Sequence, residues 1–149
     1  MFRSKNKPQP RTPWNKGKLV GQKSPFTKQE IWSIRMRLQT IGNRRDLALF
    51  NLAIDSKLRG CDLVRLRVSD VASGGEILSR ATVRQRKTKR PVRFENTERT
   101  RKSTQEWIEK AQMTESDYLF PSRVRRSPHL STRQYARIVN DWVQAIGLD

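Results

Sequence analysis

Residues 76–94 read EILSRATVRQRKTKRPVRF, and within them the hydrophobic period changes. Elsewhere apolar side chains recur every third or fourth residue, as on a helix face. Here Val83, and then Val92 and Phe94, alternate with polar neighbours, which marks two strands joined near Thr88-Lys89. Ser73-Gly74-Gly75 just upstream is a turn signal. Pro91 has no N–H to give to a ladder, so its strand is an edge. Arg80, Arg84, Arg86, Lys87, Lys89, Arg90 and Arg93 are basic, and no acid interrupts them. Strand alternation places Thr82, Arg84 and Arg86 on one face and Val83 on the other. A ribbon with a cationic face or tip can lie along a phosphate backbone or enter a groove. A hairpin that only guards its edge against aggregation needs far fewer charges.

Outward from the hairpin the chain is helical. Upstream, Asn43 can cap a helix over residues 43–58. Its Leu47, Phe50, Leu52, Ile54 and Leu58 are too dense for a thin stripe and predict burial on most sides. Before it, Thr27 and Glu30 form a T-x-x-E capping box with Phe26 and Ile31 at the staple positions. That helix runs to about Gln39, with Ile31, Ile34 and Leu38 on one face and Gly42 as its stop. A short helical piece, CDLVRL, follows Arg59-Gly60. Downstream, Asn96 can cap a helix to about Gln112 with Trp107, Ile108 and Ala111 inward. YLFPS (118–122) is extended and RVRRSPHL (123–130) is a basic loop. Ser131 caps a last helix carrying Tyr135, Val139, Trp142 and Ile146 at helical spacing, stopped by Gly147. The fold class is therefore α+β, mainly α, with one small antiparallel sheet between the second and third long helices. Residues 1–24 hold basic residues, prolines and no acids, a composition expected to form a flexible basic arm. The folded domain is expected over residues 25–149.

The whole chain is 149 residues, enough for one domain with a modest core. Lys and Arg number 32 against 14 Asp and Glu, a formal charge of +18. Such an excess repels itself and calls for a polyanion, nucleic acid first, because basic side chains displace condensed counterions from phosphates. An anionic membrane would need a basic amphipathic helix or a lipid signal. The cations are instead spread over several segments. No run approaches the ~20 apolar residues of a span, and the basic N-terminus has no apolar core to make it a secretory signal. Cys61 stands alone, and no Cys/His cluster suggests zinc. A metal-dependent nuclease would need clustered carboxylates, whereas the acids here are scattered. The expected setting is a reducing cytoplasm, beside the nucleoid, with neither cofactor nor small-molecule substrate.

Arg59 follows a strongly apolar helix and precedes Gly60, where the chain must turn. A guanidinium fork there can grip a phosphate, or it can close the preceding helix against the dipole. The residue types alone leave both open.

The stretch KLRGCDLVRLRVSDV (57–71) resembles the first active-site arginine box of tyrosine recombinases of the phage-integrase kind. Arg59, Asp62, Leu63, Val64, Leu66 and Ser69-Asp70-Val71 stand in that box's order. VRQRKTKRPVRF resembles the family's following hairpin, with Lys87 at the position of the active-site lysine. YLFPS and the helix after Ser131 also look like the family's later segments. The likeness covers roughly residues 24–149 and implies a helical catalytic domain with a small sheet. It also implies duplex DNA as partner, with other recombinase protomers beside it on the DNA, and cleavage and rejoining through a 3′-phosphotyrosine without metal or cofactor. In that chemistry Arg59 would stabilise charge on the non-bridging oxygens and Lys87 would protonate the 5′-oxygen leaving group.

The chain departs from the pattern twice. Lys57 stands where the family usually has glycine. The H-x-x-R box, the later His or Trp and the nucleophilic tyrosine are not among the 149 residues, so a partial catalytic domain, C-terminal part missing, is expected at 25–149. His129 precedes Arg133 by four positions and misses the H-x-x-R spacing. Tyr135 shares an apolar helical face and reads as core. The rival reading is a non-enzymatic nucleic-acid binder, an RNA binder included, using arm, hairpin and arginine loop.

Overall fold

The structure, a computed structural model, describes residues 26–123 and 127–147; the expected basic arm and three residues of the basic loop lie outside the described residues. Helix α1 (Lys28–Ile41) starts at the expected box: the Thr27 hydroxyl accepts the Glu30 N–H at 3.2 Å, and the Glu30 carboxylate accepts the Thr27 N–H at 3.1 Å. Gly42 ends it at φ 71°, turning its N–H back to the carbonyls of Leu38 and Gln39. Only a residue without Cβ takes that conformation freely. Helix α2 (Arg44–Ser56) begins where the Asn43 side chain accepts the Asp46 N–H at 3.1 Å. Every residue from Asp46 to Leu52 is buried, so α2 is the central element, as the density of its apolar residues predicts. It packs against α1 and, most extensively, against α5 (Glu98–Ala111).

After α2 come two one-turn helices, α3 (Gly60–Leu63) and α4 (Val68–Val71), and then the strands. The expected hairpin is present: β3 (Arg80–Arg84) pairs antiparallel with β4 (Pro91–Glu95), Arg84 opposite Pro91. Ala81 and Phe94 face each other and are buried, while Thr82 and Arg93 face each other and are exposed. One side of the ribbon sits on the core and the other is free, the half-buried pattern that alternation requires. A smaller ladder, β1 (Ala72–Ser73) with β2 (Glu76–Ile77), closes around Gly74-Gly75 just before it. The strand ends at Arg84, so Arg86 lies in the turn instead of extending the Thr82–Arg84 face.

Two details of α5 differ from expectation. Its cap is Thr97, one residue past Asn96, because Asp55 on α2 accepts both the Thr97 N–H (2.8 Å) and its hydroxyl (2.9 Å). Asn96 is buried and donates to the Leu78 carbonyl at 3.0 Å, tying the end of β4 to the segment before β3. The face of α5 toward α2 is polar at its centre, with Thr100, Ser103 and Thr104 buried; Trp107 and Ile108 join it partly, and Ala111 is exposed. Asn51 answers that polarity by donating to Ser103 at 2.9 Å and accepting from Arg35 at 2.8 Å. Burial lowers the Arg35 pKa and nearby Arg99 adds to the effect, while Asp55 opposes both.

Helix α6 (Thr132–Ala145) opens on a reciprocal Ser131–Gln134 box. It closes the core with Trp142, whose ring meets Phe50 edge-on at 5.4 Å and whose indole N–H reaches Asp46 at 3.1 Å. Among the described residues no helix is long and apolar enough to cross a membrane.

Candidate nucleic-acid interface

Arg59 is the residue before α3, in extended backbone, and its carbonyl accepts the N–H groups of Asp62 and Leu63 at 3.0 and 2.9 Å. It does not close α2. The cap of that helix is Lys57, held at φ 54°, and no described residue forms a hydrogen bond or ion pair with the Arg59 guanidinium. Of the two roles open to it, closing the helix end is the one the structure does not give it. The side chain is exposed.

Asp62 connects this arginine turn to the hairpin. It is buried at 5% exposure, and its Oδ1 accepts the backbone N–H of Arg86 at 3.0 Å. One turn of helix thus separates Arg59 from a carboxylate that holds the residue next to Lys87. The β3–β4 turn is further organised from within. Gln85 donates to the Arg90 carbonyl at 2.9 Å, and the Thr88 hydroxyl bonds the Gln85 side chain at 2.7 Å and receives the Arg90 N–H at 3.3 Å. Lys89 takes φ 55°. Arg86, Lys87, Lys89 and Arg90 are exposed between the strands, and Arg84 and Arg93 are exposed on them. Arg84 additionally donates to the Lys89 carbonyl at 3.3 Å, and Arg80 pairs with Glu95 at 3.1 Å. The hairpin therefore presents a row of hydrated cations on a shaped turn.

Both tyrosines are occupied structurally. The Tyr135 ring lies against Gly60, where an added Cβ would stand 3.2 Å from it, and burial raises its phenol pKa. Tyr118 accepts from Arg67 at 3.0 Å beneath that guanidinium, 4.2 Å from ring centroid to Cζ, while Arg67 also donates to the Ser116 carbonyl at 2.7 Å. The His129 ring meets Tyr118 at a tilt of 54°, centroids 4.9 Å apart, and turns Nδ1 to the Leu130 carbonyl. As a loop histidine it holds the chain in place.

Two of the cationic grooves among the described residues lie where nothing in the sequence signals them. One, of about 410 Å³, runs beside the hairpin and includes Arg65. The other, of about 440 Å³, lies at the α1–α2 turn and gathers Arg44, Arg99 and Lys102. The spacing of Arg99 and Lys102 put them on one helix face; what the sequence did not reveal was that α5 carries that face to the start of α2.

Residues 25–149 match the model of the phage integrase family. Among curated proteins nothing matches. Of the solved structures, the crystal structure of XerA recombinase superposes with a TM-score of 0.66 at 21% identity, over 83% of this chain and 43% of that one. At that identity the likeness is one of fold, and this chain spans less than half the length of that structure.

Proposed function

The chain belongs to the phage integrase family, and from that premise we propose that residues 26–147 form the DNA-gripping front of a site-specific recombinase. Duplex DNA is the partner, other protomers sit beside it on the DNA, and Arg59 and Lys87 address one phosphodiester. Arg59 supplies fixed positive charge to the non-bridging oxygens as negative charge grows there. Lys87 donates a proton to the departing 5′-oxygen. The hairpin cations Arg84, Arg86, Lys89, Arg90 and Arg93 hold the neighbouring backbone and set the strand's path. The observation that carries this reading is the Asp62–Arg86 hydrogen bond of 3.0 Å. It ties the segment after Arg59 to the residue before Lys87, which supports their acting together although 28 positions separate them.

Binding of a duplex oligonucleotide, titrated from low to moderate salt, tests it. If hairpin and arm neutralise about six phosphates, the log–log slope is near −5 and sequence matters little. A slope near zero would exclude the phosphate-gripping surface. Arg59→Ala should weaken binding several-fold and make the slope less steep by about one unit. Lys87→Ala should reduce affinity less, since Lys87 acts on the leaving oxygen.

A further inference from the structure

Arg65 is not among the residues that the reaction uses. It sits in the turn after α3, its backbone N–H bonded to the Asp62 carbonyl at 3.3 Å. The side chain enters the groove beside the hairpin, whose charged lining is Asp62, Arg65, Asp70, Arg84, Arg86 and Lys89. One guanidinium nitrogen, Nη1, is covered and has no acceptor from the protein. Buried N–H groups nearly always have one, so each exception requires a reason.

The two carboxylates in the groove do not supply it. Asp62 gives Oδ1 to the Arg86 N–H at 3.0 Å, and Asp70 gives Oδ2 to the Arg67 N–H at 2.8 Å. Ion pairs among the described residues are at Arg45–Asp46 and Arg80–Glu95, neither in this groove. Among the described residues the groove's four cations are in no ion pair and outnumber its two carboxylates, each of which accepts a backbone N–H. Because Nη1 has no protein acceptor, turning it toward an oxygen in the groove breaks no hydrogen bond at that atom and makes one. A guanidinium is also weakly hydrated and offers a planar fork, which suits an anionic oxygen pair.

We propose that the groove between the α3 turn and the hairpin is a second phosphate seat, in which Arg65 grips a DNA backbone phosphate with Arg84, Arg86 and Lys89 around it. This rests on the DNA-binding reading above and adds a contact beside the scissile phosphate. Occupying the seat fixes the hairpin from below, on the same side of the turn that Asp62 holds.

The test is duplex binding against salt with wild type, Arg65→Met and Arg65→Lys, each checked for folding by circular dichroism. Arg65→Met keeps the apolar stem and removes the charge. It should lower affinity roughly tenfold and make the slope less steep by about 0.9. Arg65→Lys should keep the wild-type slope and lose affinity several-fold, because charge remains without the fork. A folded Arg65→Met with wild-type slope and affinity overturns the proposal and leaves the DNA-binding reading standing. If Arg65→Met does not fold, Arg65→Lys decides, and wild-type affinity there overturns it. Wild type that binds no duplex overturns this proposal and the DNA-binding reading together.

Discussion

Lys57 shows what a single residue can reveal that its neighbours cannot. The helix that delivers Arg59 ends in the left-handed region at φ 54°, with the Lys57 N–H turned back to the Ala53 carbonyl. A side chain there crowds its own carbonyl, a strain of roughly 1–2 kcal/mol that glycine avoids. In the sequence Lys57 reads only as a departure from the glycine of the arginine box. In the structure it keeps the conformation that the glycine would serve, so the turn survives the substitution at a cost. Lys57→Gly should therefore raise the stability to urea by about 0.5–1 kcal/mol without moving Arg59. Equilibrium unfolding measures it, and a destabilised variant would mean that the lysine stem contributes packing that outweighs the strain. Other single residues were not legible, and for a consistent reason. Thr97 takes the cap from Asn96 because the acceptor is Asp55, 42 positions away, and cap chemistry read locally cannot see an acceptor on another helix. Nothing in the residues around Arg65 signals that the hairpin lies beside it.

At the scale of elements, helices and hairpin were legible because each carries its own start, period and stop. Thr27–Glu30, Asn43 and Ser131 cap where their side chains allow. The buried density of α2 follows from its composition alone. The polar seam between α2 and α5 was not legible, since Thr100 and Ser103 carry no local signal that Asn51 meets them. In the proposed function the element that matters most is the β3–β4 turn, fastened to α3 by one carboxylate. Removing it in Asp62→Ala leaves the Arg86 N–H to water, a loss of about 1 kcal/mol in stability. The larger effect falls on order. Amide exchange at Arg86 and through the turn should speed up, while exchange in α2 stays near wild type. Duplex affinity should fall several-fold, because the freed hairpin must be ordered on binding. Unchanged exchange at Arg86 would show that the internal bonds of Gln85, Thr88 and Arg90 suffice to hold the turn.

At the scale of the molecule, charge and mechanism separate. The formal charge of +18 points to a polyanionic partner before any motif is considered. Covalent chemistry asks for more: a nucleophile placed in line with the bond it attacks, and units of this kind lose nearly all function when one member is missing. Residues 1–149 contain two tyrosines, Tyr118 and Tyr135, and both are engaged within the fold. The Tyr118 oxygen accepts from Arg67, which also covers its ring. Tyr135 lies against Gly60, and burial raises its pKa, so its nucleophilic phenolate is less accessible at neutral pH than that of an exposed tyrosine. The same shift has a stability consequence with a definite sign. A phenol whose folded pKa lies above the unfolded value contributes stability that is present below pH ~10 and lost as pH rises through the folded pKa. Tyr135→Phe should remove that part of the alkaline loss. For the 149 residues by themselves, the expected outcome is salt-dependent duplex binding without strand cleavage. Incubation with a nicked suicide substrate, followed by a denaturing gel, should show free DNA and no covalent protein–DNA band. A covalent band abolished by Tyr135→Phe or Tyr118→Phe would mean that one of these packed rings leaves its seat to attack, and that the geometry around Gly60 or Arg67 is only one of two states.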